Sequence, residues 1–399
     1  MTWLKSADKA LFGWGSPVTF GVVRMVTGFL ALVNFLMISI DFEAWYTEKG
    51  FVPVWHSQKL AGNQLRFDLL WNVTDSRITA AFYVLLCVAC LFTFLGLFTR
   101  IASIAMFLLI VTFHHRNTDI LHSGDTLLRQ MAFFVMIAPS GKACSLDRVI
   151  GLWRGKAPIV LPDVSIWPQR LMQFQVTIVY FTTVWHKWTG THWRDGTATW
   201  FVPQLHEFDR FPMPPFVDQQ PFVMIATYGT LLIELGVAFL AYAKPMRRWI
   251  LLAGVFLHAG IEYRFNIPLF SFIMCSTYLA FYDGEEFSAF ARRIGERFKA
   301  LKVRVFVPKG RVLQPHREAA LESMDCFSLV EFEQGHDETW AATGADGKTR
   351  EPYSALVNRA PVAWFFKLVP RLWKRTVDSA LEPVSHPKAV QPEPQAVNS

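Results

Sequence analysis

Charged side chains are scarce: Asp, Glu, Lys and Arg make up 18% of the 399 residues, below the roughly 25% of an ordinary soluble domain. That scarcity argues against a chain kept disordered by its own charge. Cysteine is scarce as well, and the five present do not suggest a disulfide framework. Cys87 and Cys90 form a C-x-x-C inside an apolar run, where two small buried residues fit better than a redox pair. Cys275 also lies in an apolar run, and Cys144 and Cys326 fall on the side predicted to face the cytoplasm. No nucleic-acid motif accompanies the net charge of +7, which instead fits a face turned toward anionic lipid.

Apolar residues are abundant. The chain is 52% hydrophobic and 15% aromatic, and its apolar residues gather in blocks near 17–40, 77–98, 101–113, 126–139, 171–186, 222–243, 249–261 and 267–283. These predict an all-α polytopic membrane bundle of about eight spans. The blocks 101–113 and 126–139 fall short of the ~20 residues of a straight crossing, so they are expected to extend through polar flanks or to stop beside a cavity. Ser16-Pro17 reads as an N-cap followed by proline at the first helical position. The first span is too long for a signal-peptide core and contains Arg24, so it is expected to be retained. Lys5, Lys9, Arg100, Lys142, Arg148, Arg154, Lys156, Arg170, Lys244, Arg247 and Arg248 then fall on one side, predicting both termini in the cytoplasm.

The same topology gathers histidines on the opposite side: His56, His114, His115, His122, His186, His192, His206 and His258. Polar residues near a bilayer are costly unless they pair or line a cavity, so the asymmetry points to an outward-facing site. Headgroup-level histidines in wet loops are the alternative. In His114–Asp125, a helix would put His115, Asp119 and His122 on one face, able to hold a metal, a proton or a polar ligand; a loop would leave Asp125 as the N-cap of the next span. His258 and Glu262 form an i, i+4 pair. Arg24 and Glu234, both within spans, are expected to pair with each other, because a lone buried charge is expensive. Lys187 ends an apolar run and is followed by Trp188 and Trp193. Desolvation disfavours an ammonium and makes Lys187 a candidate base; the plainer reading is a snorkelling lysine within an aromatic belt.

The order of Arg24–Gly28, Trp45–Gly50 with Pro53, Ser123-Gly124-Asp125, Ser145-Leu146-Asp147, the block Tyr180…Lys187…Trp193–Ala198, Glu234 and His258 resembles the vitamin K-dependent gamma-carboxylases and their bacterial relatives, the horizontally transferred transmembrane (HTTM) domain proteins. The resemblance covers roughly residues 10–285. It implies a membrane domain over 1–285 in which Lys187 is the base that activates a reduced lipid quinone such as vitamin K. The oxygenated quinone then generates a glutamyl carbanion that captures carbon dioxide. His258 and Glu262 would assist, with His114, His115, Asp119, His122, Asp125, Trp188 and Trp193 near the cofactor, and no metal is implied. The sequence departs from the carboxylase pattern at Lys142, where a histidine is expected, and at Ala259–Tyr263, which carries Glu262 and no asparagine. The large luminal propeptide-binding domain is also missing. A bacterial-type relative with a peptide or small-molecule substrate is therefore the expectation.

Residues 286–302 read as an amphipathic linker, followed by a small cytoplasmic α/β unit over 303–378. Val303–Val307 and Phe327–Phe332 read as strands, Gln314–Met324 and Tyr353–Trp373 as helices, and Ala345–Lys348 as a turn. This resembles a thioredoxin-like DCC domain without its Cys-x-x-Cys, hence redox-inactive. Residues 379–399 read as a disordered tail. Two other functions fit the sequence: a metal-dependent membrane oxidoreductase, and a non-catalytic transporter or maturation scaffold.

Overall fold

In a computed structural model, residues 8–64, 66–201, 204, 209–350 and 381–383 are described. His206 and the helix expected over Tyr353–Trp373 lie outside them. The chain forms two compact units, residues 1–148 with 160–288 and residues 149–159 with 289–399.

The first unit is helical. Its principal helices are α1 (Val18–Ile38), α2 (Ser76–Leu95), α3 (Thr99–Arg116), α4 (Ser123–Ile137), α5 (Trp167–Thr189), α6 (Gln220–Leu240), α7 (Lys244–Arg264) and α8 (Phe270–Thr277). A helix occupies each of the apolar blocks read from the sequence. Among the described residues, three segments are long and apolar enough to cross a membrane: Val18–Tyr46, Ser76–Leu95 and Gln220–Leu240. The chain is a membrane protein. Phe20, Phe35, Tyr83, Met106, Ile110, Phe113, Leu128 and Met131 form the heart of its core. A Cβ at Gly28 of α1 would meet the backbone nitrogen of Phe94 at 2.6 Å, so glycine is what lets α1 and α2 pack backbone to backbone.

Arg24 is fully buried and donates to the carbonyl of Cys144 at 2.5 Å, fastening the 138–148 connection. It does not pair with Glu234, which is joined to Lys187 instead. The expected Arg24–Glu234 pair is thus corrected: a nearby carbonyl satisfies part of the guanidinium, and a nearer ammonium satisfies the carboxylate.

In the second unit, β1 (Val303–Val307), β3 (Val330–Gln334), β4 (Ala341–Gly344) and β5 (Thr349–Arg350) form a sheet of order β3-β1-β4-β5. β1 is parallel to β3 and antiparallel to β4. Val303, Val305 and Val307 point inward while Arg304 stays exposed, the period-2 alternation of a half-buried strand. β2 (Arg311–Leu313) leads into α10 (Pro315–Met324), which buries Ala320, Leu321 and Met324 against Val307 and Leu313. The second strand starts at Val330 rather than Phe327 because Ser328 adopts φ 53° and the Asp325 carboxylate accepts from the Val330 amide at 2.7 Å. The 286–302 stretch is largely helical, as α9 (Gly284–Arg297). Within the stretch expected as a tail from residue 379, the described residues Leu381–Pro383 form β6, which pairs with β2.

Candidate functional site

Tyr180, Thr183 and Lys187 stand at i, i+3 and i+7 on α5 and so share one face. That face borders a cavity of about 460 Å³ whose walls also include Ser123, Thr126, Leu127 and Gln130 of α4, Glu234 of α6, His258 and Ile261 of α7, and Phe270 and Met274 of α8. Its volume suits a small-molecule site, and its lining is apolar with a few convergent polar groups.

Lys187 Nζ donates to Glu234 Oε1 at 2.5 Å, with the two side chains 22% and 8% exposed. The ammonium also lies 4.8 Å from the centroid of the Trp193 ring, a cation–π arrangement. The snorkelling reading fails geometrically, since the charge is turned into the bundle. Trp188 is 52% exposed and lines no wall of the cavity.

Two turns earlier on the same face of α5, Tyr180 Oη hydrogen-bonds His258 Nε2 at 2.8 Å and Tyr278 Oη at 2.5 Å. Tyr278 reaches this position because α7 presents Gly254 to it; a Cβ there would collide with the Tyr278 hydroxyl. Gly254 and His258 are one turn apart, so the residue that makes room for the tyrosine and the one it supports share a face. Among the described residues, Glu234 Oε2 and His258 Nδ1 are buried without a hydrogen-bond partner. Two acceptor-capable atoms therefore remain for a ligand bearing a hydroxyl or amide.

The remaining expected site residues disperse. His114 is 1% exposed and packs its ring 6.1 Å from that of Phe35, inside the core. α3 ends at Arg116, so His115, Asp119 and His122 share no helical face. His115 Nδ1 meets the Phe67 carbonyl at 2.8 Å, and Asp119 faces His56 at 3.6 Å. The N-cap of α4 is His122 rather than Asp125: the Gly124 amide donates to His122 Nδ1 at 3.0 Å, and the Asp125 carboxylate accepts from the His122 amide at 2.9 Å. Asp125 also accepts from Asn34 Nδ2 at 3.1 Å, tying the start of α4 to α1. Glu262, though one turn from His258, forms an ion pair with Arg210 and does not line the cavity.

Arg116 is buried and anchors a loop. It donates to the carbonyls of Val52 at 2.9 Å and Tyr46 at 3.4 Å, and Glu48 lies 3.7 Å away. Beyond Lys187, the Asp195 carboxylate accepts from the Thr197 hydroxyl at 2.5 Å. That bond holds the acid below the usual carboxylate range. The Trp193–Ala198 block is thus a braced turn that returns the chain toward α6, where Thr199 Oγ1 bonds the Val223 carbonyl at 2.9 Å.

Tyr278, Gly254, Thr183 and Gln130 were not singled out from the sequence. Spacing could have found Thr183, which is four residues before Lys187. Nothing local marks Tyr278, which comes into place through packing of α8 against α7.

A family model described as the HTTM domain matches residues 16–285. Over 111 residues, 26% of this chain and 35% of the relative, the sequence is 33% identical to the uncharacterized protein YitO of Bacillus subtilis (strain 168). The chain thus matches about a third of that relative's length. No solved structure matches.

Proposed function

The chain belongs to the HTTM domain family, and from that premise we propose that it is a carboxylase-like membrane enzyme whose cavity receives an amphiphilic, quinol-type cofactor together with a peptide or small-molecule substrate. In this reading about eight helices cross the membrane, both termini are cytoplasmic and the cavity opens outward.

The observation that carries the reading is Lys187 turned into the cavity and bonded to Glu234. In a low-dielectric site an ion pair and its neutral amine–acid form lie closer in energy than in water, because the charged form loses hydration. Glu234 can therefore hold the ammonium's proton, leaving a free amine that accepts another from a bound hydroxyl. The orphaned His258 Nδ1 and Glu234 Oε2 fit the polar end of such a molecule, and Leu127, Val179, Ile261, Phe270 and Met274 fit its ring. When bound, the group would supply the redox chemistry that no side chain provides. Tyr180 and Tyr278 orient His258, and Trp193 helps to shield Lys187 from water.

The metal-dependent alternative lacks a converging donor set: among the described residues no three His, Cys, Asp or Glu side chains gather where a metal could sit. We keep a thioredoxin-like, redox-inactive reading of the second unit as a proposal. Its support is the parallel β1–β3 pair connected through α10 and the lack of a Cys-x-x-Cys in that region.

Mass spectrometry of the lipid-soluble molecules that copurify in native-membrane nanodiscs tests the main proposal. A quinone held by the wild type, and lost or altered in redox state in Lys187→Ala, is expected. No quinone in either of two equally stable proteins overturns the reading. The double variant Lys187→Met/Glu234→Leu replaces the single one should the latter lose its fold.

A further inference from the structure

A second recess, of about 590 Å³, lies on the flank of the bundle among α3, α4 and α5. Its composition is graded along its length. His115, Arg129 and Gln130 stand toward the end where α3 finishes and α4 begins, whereas Phe107, Phe133 and Leu171 lie farther along the helices. Phe133, Leu171, Phe174 and Ile178 are each more than a third exposed, so in a membrane they face acyl chains.

Arg129 is the anomaly. It sits about 9 Å along α4 from the first residue, at 1.5 Å per residue, and among the described residues it makes no ion pair or hydrogen bond. Asp125, one turn before it on α4, acts on it electrostatically while its carboxylate is bonded to Asn34 and the His122 amide. A half-buried guanidinium with no direct hydrogen bond has room for a further anion, and its planar fork matches a phosphate. The aromatic wall beyond it matches an aliphatic tail.

We propose that this groove is a binding site for one anionic phospholipid, with its phosphate on Arg129, His115 beside it, and an acyl chain laid along Phe107, Phe133 and Phe174. The site is distinct from the Lys187 cavity and independent of the chemistry there. The two share Gln130, whose Oε1 accepts from Gln175 Nε2 at 3.0 Å, so a lipid in the groove rests against one wall of the cavity.

Native mass spectrometry of the full-length protein, exchanged into detergent micelles doped with equal amounts of phosphatidylglycerol and phosphatidylcholine, tests the assignment. The wild type is expected to retain one phosphatidylglycerol in preference to phosphatidylcholine. Loss of a charge-assisted bidentate bond in Arg129→Gln should weaken retention by about tenfold or more. Leu171→Trp, which fills the groove from its exposed side while leaving the cation in place, should expel the lipid as well, and it serves should the arginine variant not fold. Equal retention of the two lipids by the wild type, undiminished phosphatidylglycerol on either folded variant, or Arg129-dependent retention of a quinone in place of a phospholipid would each overturn the proposal.

Discussion

Lys187, near the end of α5, and Glu234, two-thirds of the way along α6, are joined Nζ to Oε1 at 2.5 Å. The bond places an ammonium against a carboxylate that is 8% exposed, and the Trp193 ring packs against the ammonium. The two residues are 47 positions apart, and the pair holds α5 and α6 together at the cavity wall.

Removing one partner of this pair strands the other. Lys187→Ala leaves a buried carboxylate and is expected to cost about 3 kcal/mol, whereas Lys187→Met/Glu234→Leu recovers most of that loss. Thermal unfolding in a fixed detergent measures both. If the pair is catalytic, the stable double variant has no activity; a double variant that keeps full activity makes the pair structural, as the scaffold reading requires.

Gly254→Ala drives a methyl group into Tyr278. Overpacking of this kind costs about 1–3 kcal/mol, and Tyr278 and Tyr180 must shift together because their hydroxyls are bonded. The expected result is a modest fall in thermal midpoint with a disproportionate loss of function, since His258 loses its support. Tyr278→Phe in the Gly254→Ala background, which removes the colliding oxygen, should restore stability but not function.

Arg116→Ala removes the anchor of Tyr46 and Val52 and leaves two carbonyls without donors. A loss of about 2–3 kcal/mol is expected from the bonds of a charged donor. Limited proteolysis should show faster cutting between residues 42 and 61 while the other loops keep their wild-type rates. Uniform cutting throughout the chain would show that Arg116 supports the whole bundle.

Asp68 lies in the half-buried connection before α2, outside the helices. Burial raises its carboxyl above the ordinary range, opposed by the Leu70 amide and by nearby Arg116 and His115. A raised folded-state value means that the folded protein binds the proton more tightly than the unfolded chain. Stability therefore falls as pH rises from the unfolded carboxyl range through the folded one. Asp68→Asn keeps an acceptor for the Leu70 amide, which the carboxylate meets at 2.7 Å. It should raise the thermal midpoint at neutral pH and flatten its decline above pH ~4.

Much of this was legible in the chain itself. Apolar blocks located every principal helix, because burial in lipid or core demands runs of apolar residues whatever they pack against. Lys187 and Trp193 were recognisable together, six residues apart, because a short turn keeps them close. The alternation at Val303, Val305 and Val307 marked a strand by period alone. The local capping of α4 was less clear, since a histidine ring in place of the usual hydroxyl or carboxylate shifted the cap from Asp125 to His122.

Partnerships between helices were decided elsewhere. Helical periodicity states which residues share a face, but not which other face they meet, because that depends on crossing angles and on where small residues such as Gly28 and Gly254 permit close approach. Hence the sequence by itself determined a membrane bundle with a lysine at the end of an apolar run, while only the tertiary structure decided that this lysine turns inward and that Glu234 answers it rather than Arg24. Packing alone likewise drew Tyr180, His258 and Tyr278 together and left Glu262, one turn from His258, with Arg210.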